Sequence, residues 1–227
     1  MNPTVGAVAG NRDKVLSAYN DLAEQGADLV LYPEMALSGY PSDDLVLRNA
    51  YMVAIHEAVE EILRVTTNQS AAMLLPTPWR EDGVLRNAVL LIEGGTIVEK
   101  RFKHHLPDYG EFDESRIFNA DDRQSPIQFR GWTLGVPICE DALHEDVLTG
   151  LAEEGAELML IPNASPYTTS KRRQRQKYFS AVSNKHELPC VYLNLVGGQD
   201  ELIFGGYSFI SSQAGEVVAE LAHCAED

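Results

Sequence analysis

Cysteine is scarce in this chain: Cys139, Cys190 and Cys224 stand far apart, with no CxxC pair among them. That scarcity leaves no disulfide framework, gives no support for a structural zinc site and fits a reducing compartment. Positive charge is also short, with 18 Lys and Arg against 34 Asp and Glu and a formal charge of -16. Long-range repulsion at that charge argues against nucleic acid or an anionic membrane as partner. No apolar run is long enough to span a bilayer and no signal peptide is recognisable. The expectation is therefore a cytoplasmic protein.

What is present is ordinary for a soluble globular chain: 227 residues, 44% hydrophobic and 23% charged, enough for a sizeable core in one large domain or two small ones. The start is abrupt, since Met1-Asn2-Pro3-Thr4 leads almost directly into a helix, as though an opening strand were missing. Asn11 is expected to cap a helix to about residue 25, with Val15, Leu16, Tyr19 and Leu22 at helical spacing and Gly26 as terminator. A continuous apolar run over 28–34 reads as a strand buried on both faces and ending in Glu34. A helix over roughly 44–65, a strand over 71–77 and a hairpin of 87–92 with 96–102 around Gly94-Gly95 follow.

Residues 103–120 lose all period and read as a long ordered loop, anchored by Leu106, Tyr109, Phe112 and Phe118. Beyond it come a strand ending at Cys139, a helix near 146–154, a strand over 157–163 and a polar helix over about 169–187. Three further extended stretches are expected at 189–196, 204–211 and 216–221. The segment Glu24–Glu34 echoes Glu153–Asn163, with Glu, Gly, Ala, Leu, Leu and Pro in register. This suggests two similar α/β halves. In such sheets ligands sit beyond the carboxyl ends of strands, where Glu34, Cys139, Asn163 and the Gly197-Gly198-Gln199-Asp200 turn fall.

Chemistry centres on Val136-Pro137-Ile138-Cys139-Glu140-Asp141. A strand that delivers a thiol to the start of a helix favours the thiolate, because the first backbone N–H groups are unpaired there. The other reading is a buried structural cysteine. No histidine ends a buried strand, so a Cys–His dyad is not favoured, and His104-His105 lacks a carboxylate or cysteine at ligand spacing to hold a metal. Glu34 is the better base, since a carboxylate closing an apolar run is partly desolvated and suited to proton transfer. Lys103 could set a fixed positive charge near a developing oxyanion, or be an ordinary edge lysine. The cationic run Lys171–Lys177 reads as a solvated helix face, with a binding role as the alternative.

Taken together, these residues resemble the nitrilase superfamily of carbon–nitrogen hydrolases, and within it the glutaminase (amidase) domains of glutamine-dependent NAD+ synthetases. The resemblance rests on Asn2-Pro-Thr-Val-Gly6, Tyr32-Pro-Glu34, Ser38-Gly-Tyr-Pro41 with Asp44-Leu45, Lys103-His-His-Leu-Pro-Asp-Tyr-Gly110 and Phe112-Asp-Glu114. It continues through Ile138-Cys-Glu-Asp141, Asn163-Ala-Ser-Pro166 and Val196-Gly-Gly-Gln-Asp-Glu-Leu202. It implies an α/β fold, a four-layer αββα sandwich, with residues 1–227 as a single carbon–nitrogen hydrolase domain. It further implies Cys139 as nucleophile, Glu34 as general base and acid, Lys103 as oxyanion stabiliser and Glu114 as a supporting glutamate, while Tyr109, Ser165 and Lys171 would hold L-glutamine.

By the same resemblance the amidase step needs no cofactor or metal. ATP and Mg2+ belong to an NAD+ synthetase domain whose Ser-Gly-Gly-x-x-Ser loop has no counterpart in these residues. A homo-oligomer is implied. Ala7 stands where the family usually has an acid, Asp108 where it has Asn, and Gly205 where it has Asp. Another ω-amidase or carbamoylase of the superfamily, and a non-catalytic interaction module, remain the competing readings.

Overall fold

The computed structural model describes residues 1–123 and 125–227. They form two compact units, one of Pro3–Asp121 with Met1 and the other of Asp122–Asp227 with Asn2. Among the described residues no helix is long and apolar enough to cross a membrane.

In the first unit, α1 (Val8–Glu24) leads to β1 (Leu29–Leu31), and a 3-10 turn (Asp43–Leu47) leads to α2 (Asn49–Thr66). Then β2 (Ala72–Glu81), β3 (Val84–Glu93) and β4 (Thr96–Phe102) complete a sheet of order β1-β2-β3-β4. β1 runs parallel to β2 and the other pairs are antiparallel. The core gathers Val15 and Tyr19 of α1, Ile55, Val59 and Ile62 of α2, and buried runs of β2 and β3. Two tyrosines satisfy themselves inside it: the Tyr19 hydroxyl donates to Ala71 O at 2.6 Å and the Tyr32 hydroxyl to Val15 O at 2.8 Å.

Three expectations for this unit are corrected. α1 begins at Val8, so Asn11 lies inside the helix rather than capping it. Fully buried, its amide accepts from Thr4 N at 2.8 Å and donates to Thr4 O and Leu37 O at 2.8 and 2.9 Å. An asparagine spent on three distant backbone groups has none left for its own helix.

The helix expected over 44–65 is broken at Arg48, which is extended (ψ 123°). Arg80 holds the break from outside, donating to Val46 O and Asn49 Oδ1 at 2.9 Å each.

β2 and β3 are each longer than expected and form a hairpin through Asp82-Gly83, both with positive φ (51° and 78°), the pair favoured in tight two-residue turns. Pro76 and Pro78 argue against so long a strand. However, the carbonyls of Leu74 and Pro76 accept from Tyr32 and Ala36. The proline nitrogens therefore face the same edge, past the point where β1 stops, and no ladder bond is lost.

The second unit contains β5 (Ile127–Phe129), β6 (Trp132–Gly135), a 3-10 turn (Cys139–Leu143), α3 (Glu145–Glu153), β7 (Leu158–Asn163) and α4 (Lys171–His186). It closes with β8 (Cys190–Asn194), β9 (Val196–Gln199), β10 (Leu202–Gly205), β11 (Phe209–Ser211) and β12 (Val217–Glu220). The main sheet has the order β12-β11-β8-β7-β6-β5, with β6, β7 and β8 parallel. Phe179 of α4 packs on Tyr192 and Phe209, whose rings stack at 5.1 Å, and Leu148, Leu151, Met159 and Ile161 fill the rest of this core.

The strand expected to reach Cys139 stops at Gly135, because Pro137 has no N–H to continue the ladder. Of the expected Gly197–Asp200 turn, Gly197–Gln199 belong to strand β9 paired with β10, and the turn itself is Asp200-Glu201, with Asp200 at φ 50°.

The internal echo is structural. Gly26 and Gly155 both adopt φ 89°. Each donates to the carbonyl three residues back (Ala23, Ala152), and the next residue donates five back (Leu22, Leu151). Both copies are thus the same helix-stop before a parallel strand, one in each unit.

Candidate active site

In the first unit, β1 ends at Leu31 and the chain continues through Tyr32 and Pro33 to Glu34. Hydrogen bonds from Tyr32 N to Leu74 O (3.2 Å) and from Ala36 N to Pro76 O (2.9 Å) pin the backbone on both sides of this glutamate. Lys103 follows β4 directly, and its N–H donates to Asn87 O at 2.8 Å. Glu114 opens a 3-10 turn (Glu114–Arg116) in the long loop, tied back by Glu114 N to Pro107 O (3.1 Å) and Asn119 N to Leu85 O (2.8 Å).

All three side chains are buried, Glu34 at 0%, Lys103 at 1% and Glu114 at 4% exposure. Lys103 Nζ donates to Glu34 Oε1 at 2.8 Å and to Glu114 Oε1 at 2.9 Å. Two neutral donors join the set, Asn87 Nδ2 to Glu34 Oε1 (2.8 Å) and the Tyr40 hydroxyl to Glu114 Oε1 (2.9 Å). An aromatic chain extends outward from Tyr40 through Phe112 to Tyr109, which is exposed. Asp108, beside it, accepts from the Ser115 N–H and hydroxyl and so braces the loop from within.

One ammonium between two buried carboxylates leaves a surplus negative charge. Burial pushes the Glu114 carboxyl above the usual carboxylate range, against the pull of Lys103, and Glu34 pushes it the same way. A proton on Glu114 makes the set neutral, and its buried Oε2, which has no hydrogen-bond partner among the described residues, is the oxygen open to it.

Glu114→Gln is accordingly expected to gain stability relative to wild type as pH rises. With a raised folded pKa, the carboxyl's contribution is full below its unfolded value of about 4.3 and is lost as pH rises through the folded value. Glutamine has no such proton to lose. Urea unfolding from about pH 4 to about pH 8 should show the variant-minus-wild-type difference climbing. A flat or falling difference would mean that Lys103 keeps Glu114 ionised throughout.

In the second unit, Cys139 is the first residue of its 3-10 turn and sits at φ 47°, left-handed backbone that a non-glycine residue adopts at a cost. Asp141 holds it there: its Oδ2 accepts from Ile138 N at 3.2 Å while its own N–H donates to Ile138 O at 3.0 Å. Cys139 is half-buried. Cys190, by contrast, lies in the core, where burial pushes its thiol up and away from reactivity. Asn163 is also structural, its amide donating to Ile161 O at 2.7 Å.

Because β6, β7 and β8 are parallel, Cys139, Ser165 and Asn194 leave the same edge of one sheet. Ser165 is held on every side: its N–H donates to Asn194 Oδ1 (2.8 Å), and its carbonyl accepts from Asn194 Nδ2 (3.1 Å) and Arg175 Nη2 (2.9 Å). Lys171, half-buried, opens α4.

The cationic run is thus not one solvated face. Arg175 turns to Ser165, and Arg172 forms a two-point ion pair with Glu220 (2.8 Å each) over the Tyr207 ring, while Arg173 and Lys177 are exposed. Of the three departures from the family pattern, Ala7 precedes α1 without a side-chain cap, and Gly205 lies where a Cβ would come within 3.2 Å of Tyr167.

The structure therefore brings Glu34, Lys103 and Glu114 together in the first unit, with Tyr109 on the same loop, and sets Cys139, Ser165 and Lys171 in the second. Sequence reasoning missed Asn87, Tyr40, Asn194 and Arg175. Asn87 and Asn194 had a signal, an amide flanking an apolar strand run, Ala88–Ile92 for one and Cys190–Leu193 for the other. Such a group is buried only if it is hydrogen-bonded.

A family model described as carbon-nitrogen hydrolase matches residues 1–227. A glutamine-dependent NAD(+) synthetase of Rhodobacter capsulatus is 38% identical over 221 residues, covering 97% of this chain and 40% of the relative. The chain therefore spans well under half of that relative's length. Among solved structures, the glutamine-dependent NAD+ synthetase of Acinetobacter baumannii, in complex with ADP, superposes with TM-score 0.95 at 32% identity, over 100% of this chain and 43% of that one. A mutant of an amidase from the nitrilase superfamily, from Nesterenkonia AN1, superposes with TM-score 0.83 at 25% identity, covering 98% and 84%. The α/β fold expected from the sequence is the nitrilase-like one.

Proposed function

The chain belongs to the carbon–nitrogen hydrolase family, and from that premise we propose that it is a glutaminase, releasing ammonia from L-glutamine through a Cys139 thioester. Glu34 takes the thiol proton as the sulfur attacks the side-chain amide carbon, and Lys103 stabilises the oxyanion. The C–N bond then breaks, ammonia leaves with the proton from Glu34, and a γ-glutamyl thioester remains. Water, deprotonated by Glu34, cleaves the thioester to glutamate and restores the thiol. Tyr109, Ser165 and Lys171 hold the amino acid, with Glu114 supporting Lys103.

This step needs no cofactor. The ammonia serves a synthetase domain that amidates deamido-NAD+ with ATP and Mg2+, in a cytoplasmic homo-oligomer without nucleic-acid or membrane partners.

The observation that supports the reading most is the buried Glu34–Lys103–Glu114 set, since three ionisable groups held at near-zero exposure are costly unless they serve a reaction. The test is intact mass after treatment with a diazo-ketone analogue of glutamine. The expected result is a single adduct on Cys139, blocked by excess L-glutamine and lost in Glu34→Gln. An adduct that glutamine does not block would assign the site to another amide, and no adduct would return Cys139 to a structural role.

A further inference from the structure

Arg175 Nη2 donates not only to Ser165 O but also to Ser165 Oγ at 2.6 Å and to Pro166 O at 3.0 Å. Its guanidinium lies over the ring of buried Tyr192, 5.8 Å from the centroid, which fixes it in place. The Ser165 oxygen thus already accepts from a cation, and its hydroxyl hydrogen has no acceptor among the described residues. Polarised in this way, the hydroxyl is presented as a donor, and an approaching ammonium meets a positive charge behind it. Lys171 stands four residues earlier on α4, a spacing that projects both cations from one face of the helix.

We propose that Arg175 is a specificity-determining positioning residue: by holding the Ser165 hydroxyl as a donor, with Lys171 one turn earlier on the same helix, it makes this end of the site select a substrate carboxylate. The inference rests on the glutaminase reading and names which end of the amino acid the second unit recognises. Arg175 does not touch the substrate in this account. It acts through Ser165.

Ammonia release from L-glutamine and from its α-methyl ester separates the possibilities, because the ester keeps the reacting amide and the α-amine but loses the carboxylate charge. Wild type is expected to prefer the acid. In Arg175→Met the ratio of kcat/KM for acid over ester should fall roughly tenfold or more, the worth of one charge-assisted hydrogen bond. The loss should lie in KM for glutamine rather than in kcat. Arg175→Lys should recover part of it, and Ser165→Ala should lower the same ratio without removing a charge.

An unchanged ratio in folded Arg175→Met, with wild type active on glutamine, would overturn this proposal and leave the glutaminase standing, whatever Ser165→Ala shows. A wild type that releases ammonia from other amides but not from glutamine would overturn the glutaminase reading and this one with it. Should Arg175→Met fail to fold by circular dichroism, Ser165→Ala carries the same comparison.

Discussion

Lys103→Met is expected to cost about 3–5 kcal/mol of stability near neutral pH, the penalty for stripping the partner from a buried charge. Lys103 is the shared donor between Glu34 Oε1 and Glu114 Oε1, and all three groups are shielded from water. Methionine fills much the same volume, so packing is largely kept and the loss is electrostatic. What remains is a pair of buried carboxylates that accept from the neutral donors Asn87 and Tyr40. They can relieve the repulsion only by taking up protons, which is easier for Glu114, already raised by burial.

The deficit should therefore shrink as pH falls. Urea unfolding of variant and wild type at about pH 8 and about pH 5 would measure it. A variant as stable as wild type at the higher pH would show that the buried carboxylates are not charged and that Lys103 is not their counter-ion. Turnover should fall by at least about 10²–10³, the loss seen when an oxyanion donor is removed.

Cys139→Ala should leave the fold nearly intact and eliminate glutaminase turnover, a fall of about 10⁴–10⁶. The side chain is half-buried, alanine tolerates the left-handed backbone about as well as cysteine, and the Ile138–Asp141 hydrogen bonds do not involve the sulfur. Glu34→Gln should cost nearly as much rate. Glutamine can still accept from Lys103 and Asn87 but cannot take the thiol proton. Residues acting in one step are not additive, so the double variant should be about as slow as the worse single one. The check is ammonia release under saturating glutamine with unfolding curves alongside. A Cys139→Ala protein that turns over glutamine would remove the thioester from the mechanism and favour a binding role for this domain.

How much of the site was legible depended on what each residue signals locally. Glu34 and Cys139 stand at the ends of apolar runs, where a functional group is conspicuous in one dimension, and Lys103 closes the hairpin; Glu34 and Lys103 lie just past strand ends and Cys139 opens its turn. Asn11 misled, because its sequence context is that of a helix cap, whereas its real partners, Thr4 and Leu37, are chosen by how the chain folds back. Asp82-Gly83 is a local turn signal, whereas the two prolines of β2 signal against a long strand. Only the position of β1 shows that those proline nitrogens face an edge with no strand to bond. Arg175 was hidden inside a run of like residues, since nothing local distinguishes it from Arg173.

The sequence by itself determined the α/β alternation, the repeated helix-stop before each parallel strand and the identity of the reactive groups. Those properties follow from hydrophobic period, glycine stereochemistry and side-chain chemistry, all of which are local. Tertiary structure alone decided that one lysine bridges two glutamates, that Asn87 and Tyr40 complete their hydrogen bonds, that Asp141 locks the backbone turn at Cys139, and that Arg175 rather than its neighbours reaches Ser165. Each of these is a pairing between segments far apart in the chain or a choice among equivalent side chains. Such pairings are set by burial, because a polar group removed from water must find its partner wherever the fold brings one.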